Sequence, residues 1–184
     1  MKCWETLKRK ILFDASPWLK LYSETVRLED GREIENYYSI EQSDFVEIFA
    51  LNENNEIIGI RHYKHGAKRV NLGLPAGYIE RGESPLCAAQ RELLEETGYT
   101  AQQWENLGTF VVDGNRGCGH VHVFYATHLE KNREAMPDDL ETIVVEQIHL
   151  RELPELLANG DVATLGAAIG IALGLLRSKA NNGE

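Results

Sequence analysis

Cysteine, methionine and proline are scarce in this chain: three, two and five among 184 residues. Cys3, Cys87 and Cys118 lie far apart and form no C-x-x-C pair, which excludes a disulfide framework or structural zinc site and fits a reducing compartment. Long apolar runs are missing too. The longest, roughly Val162 to Leu176, falls short of the ~20 residues a membrane-spanning helix needs. The N-terminal stretch MKCWETLKRKILFDASPW has no apolar core of signal-peptide length, so a soluble, cytoplasmic protein without a membrane partner is expected. Positive charge is also short: 19 Lys and Arg against 29 Asp and Glu leave a net charge of -10. Nucleic acid is therefore not an expected partner, because binding its backbone draws on clustered Lys and Arg. A small anionic substrate escorted by a cation stays compatible with this balance.

What the chain does have is an ordinary globular composition, 43% hydrophobic and 26% charged, over a length that suits one main core with an appendage. From Leu19 to Ile40, two β-rich stretches flank the turn signal Glu29-Asp30-Gly31 and predict a hairpin. DFVEIFAL and EIIGIRHY form a second strand pair around Asn52-Glu53-Asn54-Asn55. ENLGTFVV and HVHVFYATHL predict two more strands joined by the glycine-rich DGNRGCG, and ETIVVEQIHL another strand. LPELLANG reads as a short helix, and VATLGAAIGIALGLLRSK as a buried one. Gly166, Gly170 and Gly174 in that last helix share one face, as close packing in a soluble core requires. The expected seam lies near Gln42 to Asp44. It divides a hairpin extension, residues 1–42, from a main domain, residues 43–184.

The segment GYIERGESPLCAAQRELLEETGY, Gly77 to Tyr99, concentrates acidic residues. Ser84 and Pro85 suit the start of a helix and Gly98 its end. At ~100° per residue Glu92, Glu95 and Glu96 share one face, while Leu86, Cys87, Leu93 and Leu94 fall roughly opposite. No Lys lies between Ser84 and Thr97 to balance the glutamates at helical spacing. Carboxylates on a firm helix suit Mg²⁺, a hard cation that prefers oxygen ligands. Spacing alone leaves a solvated face and a metal site both open.

These residues resemble the Nudix box, G-x5-E-x7-R-E-U-x-E-E-x-G-U with U bulky and apolar. Gly77, Glu83, Arg91, Glu92, Leu93, Glu95, Glu96 and Gly98 match in register, and only Tyr99 departs. The resemblance implies an α/β/α fold, with a mixed sheet between helices and here an N-terminal β-hairpin extension. It also implies hydrolysis of a nucleoside diphosphate-linked compound with Mg²⁺ or Mn²⁺. Glu92, Glu95, Glu96 and the carbonyl of Ala76 would then be metal ligands, and Glu83 and Arg91 would orient them. RHYKHG…LGLPAGYIERGE and the C-terminal third are similar to ADP-ribose and ADP-sugar pyrophosphatases, so ADP-ribose or a related ADP-sugar is the expected substrate. Arg61 and Lys64 fall in the substrate-binding stretch of that subgroup. Gly73, Lys64 and the DGNRGCGH loop depart from its pattern, which leaves other nucleoside diphosphate derivatives open, among them GDP- and UDP-sugars and dinucleotides. A non-catalytic nucleotide-binding regulator is a further alternative.

Glu141 matches the place of a catalytic loop base, with Asp139 second; solvated loop acids are the competing reading. Trp18 and Tyr37 match aromatics that sandwich adenine across a homodimer in related enzymes, or they simply pack the hairpin. Arg116 in the glycine-rich loop either grips a phosphate or ribose or is a surface residue. His120 and His122 alternate on a strand with no third ligand in view, so structural or surface roles are favoured. The first hairpin carries more apolar surface than two isolated strands can bury, and a homodimer is the expected remedy.

Overall fold

The computed structural model describes residues 2–136 and 142–182. They form two compact units, Met1–Asp44 with Phe110–Val121, and Phe45–Thr109 with His122–Glu184.

In the first unit, β1 (Glu5–Ala15), β2 (Leu19–Arg27) and β3 (Glu33–Glu41) make an antiparallel meander. The expected hairpin is its β2–β3 half. Asp30 accepts a hydrogen bond from the Arg32 amide at 3.1 Å, and Gly31 adopts φ 86°, which closes that turn. The extension is one strand larger than the sequence reading, because β1 hides its strand character in KRKILF, where basic and apolar residues are blocked rather than alternating. Residues 110–121 join this unit by a parallel bridge between Ile40 and Gly117, with the Ile40 amide donating to the Arg116 carbonyl at 2.8 Å.

The second unit holds β4 (Phe45–Ala50), β5 (Glu56–Lys64), β6 (Arg69–Gly73), β7 (Ala76–Tyr78), α1 (Pro85–Thr97), β10 (Ile143–His149), α2 (Leu153–Ala158) and α3 (Leu165–Asn182). The strands β8 (Tyr99–Asp113) and β9 (Gly117–Lys131) run through both units. β4 lies between β9 and β7, while β5 lies between β10 and β6 in a second sheet. Alternation along β4 builds the layers. Val46, Ile48 and Ala50 pack with Ala88, Ala89 and Leu93 of α1, whereas Phe49 packs with Leu72, Leu74, Ala167 and Ile171 on the α3 side. The result is a mixed sheet between helices, the expected α/β/α arrangement.

Close approach of α3 to β4 depends on its glycine stripe. A Cβ at Gly166 would sit 2.5 Å from Glu47 Oε1, and one at Gly170 2.6 Å from Leu74 Cδ1. At Gly174 it would run into the Phe49 ring.

Candidate active site

α1 begins at Ser84, whose hydroxyl accepts from the Cys87 amide at 3.2 Å, and Pro85 takes the first helical position. It ends at Gly98, in the left-handed region at φ 75°, whose amide reaches the Leu94 carbonyl at 2.9 Å. The buried side of the helix is Ala88, Ala89 and Leu93; Leu86 and Cys87, expected there, remain exposed, since small residues bring the helix onto β4.

The acidic face is organised by Arg91. Its Nε and Nη2 donate to Glu83 at 3.1 and 3.0 Å, and its Nη1 donates to Glu92 at 2.6 Å and to Glu95 at 3.1 Å. Nη2 also reaches the Tyr78 carbonyl at 3.0 Å, tying the helix to β7. Glu83 in turn accepts the Glu80 amide at 3.0 Å. Hydrogen bonds from Arg91 hold the Glu83 carboxyl below the usual carboxylate range. Glu92 is pushed the other way, because burial outweighs the stabilisation by Arg91. Gly77 lies against this face so closely that any side chain there would overlap the Glu92 carboxylate.

Glu96 is buried and accepts the Ala76 amide at 2.8 Å. Across the β4–β7 pair, Ala76 is in register with Glu47. Glu47 is a site residue that sequence reasoning missed: alternation with Phe45 and Phe49 disguised it as part of a buried face. It is 6% exposed, its Oε2 has no hydrogen-bond partner among the described residues, and burial, reinforced by the nearby Glu96 charge, raises its carboxyl well above the usual range. A cleft of about 320 Å³ opens here, lined by Glu47, Lys64, Tyr78 and Thr164 together with the backbone of Ala76 and Gly77.

Among the described residues, no three acidic, imidazole or thiolate groups are arranged around a common ion point. Arg91 holds Glu92 and Glu95, and Glu96 is turned to the Ala76 amide. The donor chemistry nonetheless fits a hard divalent cation: Glu92, Glu95, Glu96 and the Ala76 carbonyl all offer oxygen.

The structure thus brings Glu83, Glu92 and Glu95 together on Arg91 and sets Glu96 on the Ala76 amide, and Lys64 lines the cleft beside Ala76. Arg61 is engaged elsewhere: Nη1 and Nη2 grip Asp161 at 3.0 and 2.9 Å, and Nε donates to Glu146 at 2.8 Å. In the first unit, Trp18 is 73% exposed, while Tyr37 meets the Trp4 ring edge-on at 6.0 Å and donates to the Asn115 carbonyl. Arg116 is exposed, and its backbone closes the β8–β9 turn. His120 contacts Asp44 at 3.2 Å, and His122 contacts Thr109 at 3.0 Å. Glu141 and Asp139 lie outside the described residues.

Gly73, a departure from the subgroup pattern, abuts His62: a Cβ there would sit 3.0 Å from His62 Nε2.

Comparison with known proteins matches residues 44–165 to the NUDIX domain and residues 4–40 to the nucleoside diphosphate sugar hydrolase N-terminal domain. An ADP-ribose pyrophosphatase of Bacillus subtilis (strain 168) is 29% identical over 170 residues, 91% of this chain and 90% of the relative. A methanol dehydrogenase activator of Bacillus methanolicus is 29% identical over 140 residues, 76% of this chain and 75% of the relative. The crystal structure of an ADP compounds hydrolase superposes with a TM-score of 0.83 at 21% identity, covering 100% of this chain and 97% of the other, which shows the shared fold. With the domain match extending over most of the chain and the box residues assembled around Arg91, the chain belongs to the Nudix family.

Proposed function

We propose that the protein hydrolyses the diphosphate of ADP-ribose or a related ADP-sugar, with Mg²⁺ or Mn²⁺, to AMP and a sugar phosphate. The observation that carries this reading is the Arg91-centred glutamate network beside a cleft that contains Lys64. The full-length similarity to an ADP-ribose pyrophosphatase, and the N-terminal match to nucleoside diphosphate sugar hydrolases, support the substrate class.

Glu92, Glu95, Glu96 and the Ala76 carbonyl would hold the cation. A divalent ion bound there would screen the diphosphate and acidify a coordinated water. The protein's own part is positioning. Arg91 fixes the glutamates against β7, Gly77 leaves room for the Glu92 carboxylate, and Lys64 offers a point charge to a phosphate oxygen. Glu141 is the proposed general base. Its support is the resemblance alone, in which Glu141 matches the place of the loop base.

The test is a panel of ADP-ribose, GDP-mannose, UDP-glucose, a dinucleotide and a nucleoside triphosphate with Mg²⁺, with products identified. ADP-ribose should show the highest kcat/KM and yield AMP. Preference for another diphosphate would reassign the substrate, and tight binding with no turnover of any of them would make the protein a nucleotide-binding regulator.

The proposal extends to a homodimer formed through the N-terminal unit, residues 1–42 of which act as the dimerisation extension. β1 is almost wholly exposed and displays Ile11, Leu12 and Phe13, each about half exposed; Trp4, Ile34 and Tyr38 add to that surface. An apolar edge strand of this kind calls for a covering partner. Trp18 and Tyr37 would then serve adenine binding across the dimer, with Arg116 as a phosphate or ribose contact. Catalysis is placed in the cytoplasm; among the described residues no helix is long and apolar enough to cross a membrane.

A further inference from the structure

Glu47 is not part of the Nudix box, yet it occupies a wall of the cleft that begins at Ala76. Three observations define what it can accept. First, it is more than nine-tenths buried, and its Oε2 has no donor among the described residues; leaving a buried acceptor unpaired carries a substantial free-energy penalty, which a ligand donor would remove. Second, its surroundings cannot supply that donor from the α3 side, where Gly166 presents only Cα and would clash with Oε1 if it bore a side chain. Third, the charges near it are the Glu96 carboxylate and the Lys64 ammonium. A further phosphate entering beside Glu47 would meet the Glu96 carboxylate and bring no hydroxyl to Oε2, and an apolar group would leave Oε2 unpaired. A neutral group rich in hydroxyl donors, with its phosphate directed to Lys64, satisfies both conditions. Phe45 and Tyr78 meet edge-on with centroids 6.5 Å apart, and both line the same cleft, giving an apolar wall for a ring's carbon face.

We propose that this cleft is a sugar-phosphate subsite in which Glu47 accepts hydrogen bonds from the hydroxyls of a pentose ring while Lys64 meets its phosphate. The inference rests on the reading of the protein as a nucleoside diphosphate sugar hydrolase. It adds the residue that selects a sugar at this position and disfavours a longer phosphate chain. Carboxylate pairing with ribose hydroxyls is a general recognition device, because one acidic group can accept from adjacent hydroxyls that an unhydroxylated analogue lacks. The pentose could be the nucleoside ribose or the sugar on the far side of the diphosphate; the chemistry is the same, and the experiment separates the two.

Dissociation constants are measured for two pairs of probes, ribose 5-phosphate with 2-deoxyribose 5-phosphate, and AMP with 2′-deoxy-AMP, on wild type and Glu47→Gln in the presence of Mg²⁺. The wild type should prefer the hydroxylated member of one pair by about tenfold, and that pair identifies the sugar. Glu47→Gln should reduce the preference to about threefold or less while retaining the melting temperature and circular dichroism of the wild type. Gly166→Ala keeps the carboxylate but sets a methyl group 2.5 Å from Glu47 Oε1, and should reduce the same preference, which covers the case in which the first variant does not fold. A wild type without hydroxyl preference in either pair overturns the inference, as does a folded Glu47→Gln that keeps the full preference. If the wild type still hydrolyses ADP-ribose in that event, the functional reading stands alone. If it hydrolyses no nucleoside diphosphate sugar, both fall.

Discussion

Gly77 and Glu92 occupy the same small space: the carboxylate lies where a Cβ on residue 77 would be. The conformation of Glu92 on the acidic face therefore depends on a missing side chain one element away. Gly77→Ala should displace Glu92 and lower kcat by ~10² or more, in the range seen when one electrostatic contact to a transition state is removed. The melting temperature should change little, because position 77 is at the open edge of the sheet. A variant with wild-type kcat would show that Glu92 can move without consequence.

Glu96→Gln tests the ligand assignment itself. Glutamine can still accept the Ala76 amide, so the fold should survive while the charge is lost. Activity should fall by ~10² at saturating Mg²⁺. Steady-state kinetics at several Mg²⁺ concentrations checks this, and unaltered kcat removes Glu96 from the ligand set.

Arg91→Lys keeps the charge but loses the fork that serves Glu83, Glu92, Glu95 and the Tyr78 carbonyl together. Urea unfolding should report a loss of about 1–3 kcal/mol, accompanied by reduced kcat. An unchanged midpoint would mean that the network contributes little to stability.

The Arg61–Asp161 clamp gives a pH signature. Hydrogen bonds from Arg61 hold the Asp161 carboxyl below the ordinary aspartate value of 3.8, so the stabilisation is fully present above that value and is lost as pH falls through the lower folded value. The stability difference between wild type and Arg61→Met should accordingly be constant from neutral pH to about pH 5, then shrink below pH 3.8. Unfolding titrations across this range measure it. A difference that grows on acidification would contradict the sign.

Ile11 and Phe13 lie on either side of a register shift in β1, and both are about half exposed. Replacing both with Glu should convert a dimer in light scattering to a monomer and leave Mg²⁺ binding intact. A full-length protein that is already monomeric at tens of micromolar would refute the dimer, and the shared adenine site with it.

The acidic helix was legible because its determinants are local: the Ser84 cap, Pro85, Gly98 and the one-face spacing of three glutamates lie within fifteen residues. The strand pairs around Asn52–Asn55 and Glu29–Gly31 were legible for the same reason. What escaped depends on partners distant in sequence. β7 has three residues and exists because β4 pairs with it, a relationship no periodicity can reveal. Arg61 looked available to a substrate, but its carboxylate partner Asp161 lies one hundred residues away. Glu47 escaped for a different reason: hydrophobic neighbours on either side make a buried carboxylate look like ordinary strand alternation.

The glycine stripe of α3 makes one helix answer to two masters. Its C-terminal contact, Gly174 on the Phe49 ring, belongs to the apolar core, whereas its N-terminal contact, Gly166 on Glu47, belongs to the cleft wall. With no side chain on the helix at these three positions, a group added at any of them meets Glu47, Leu74 or Phe49 directly. Mutational tolerance along the stripe should thus be graded in kind: enlargement at Gly174 should appear as lost stability, at Gly166 as altered ligand preference, and at Gly170, against Leu74, as some of each.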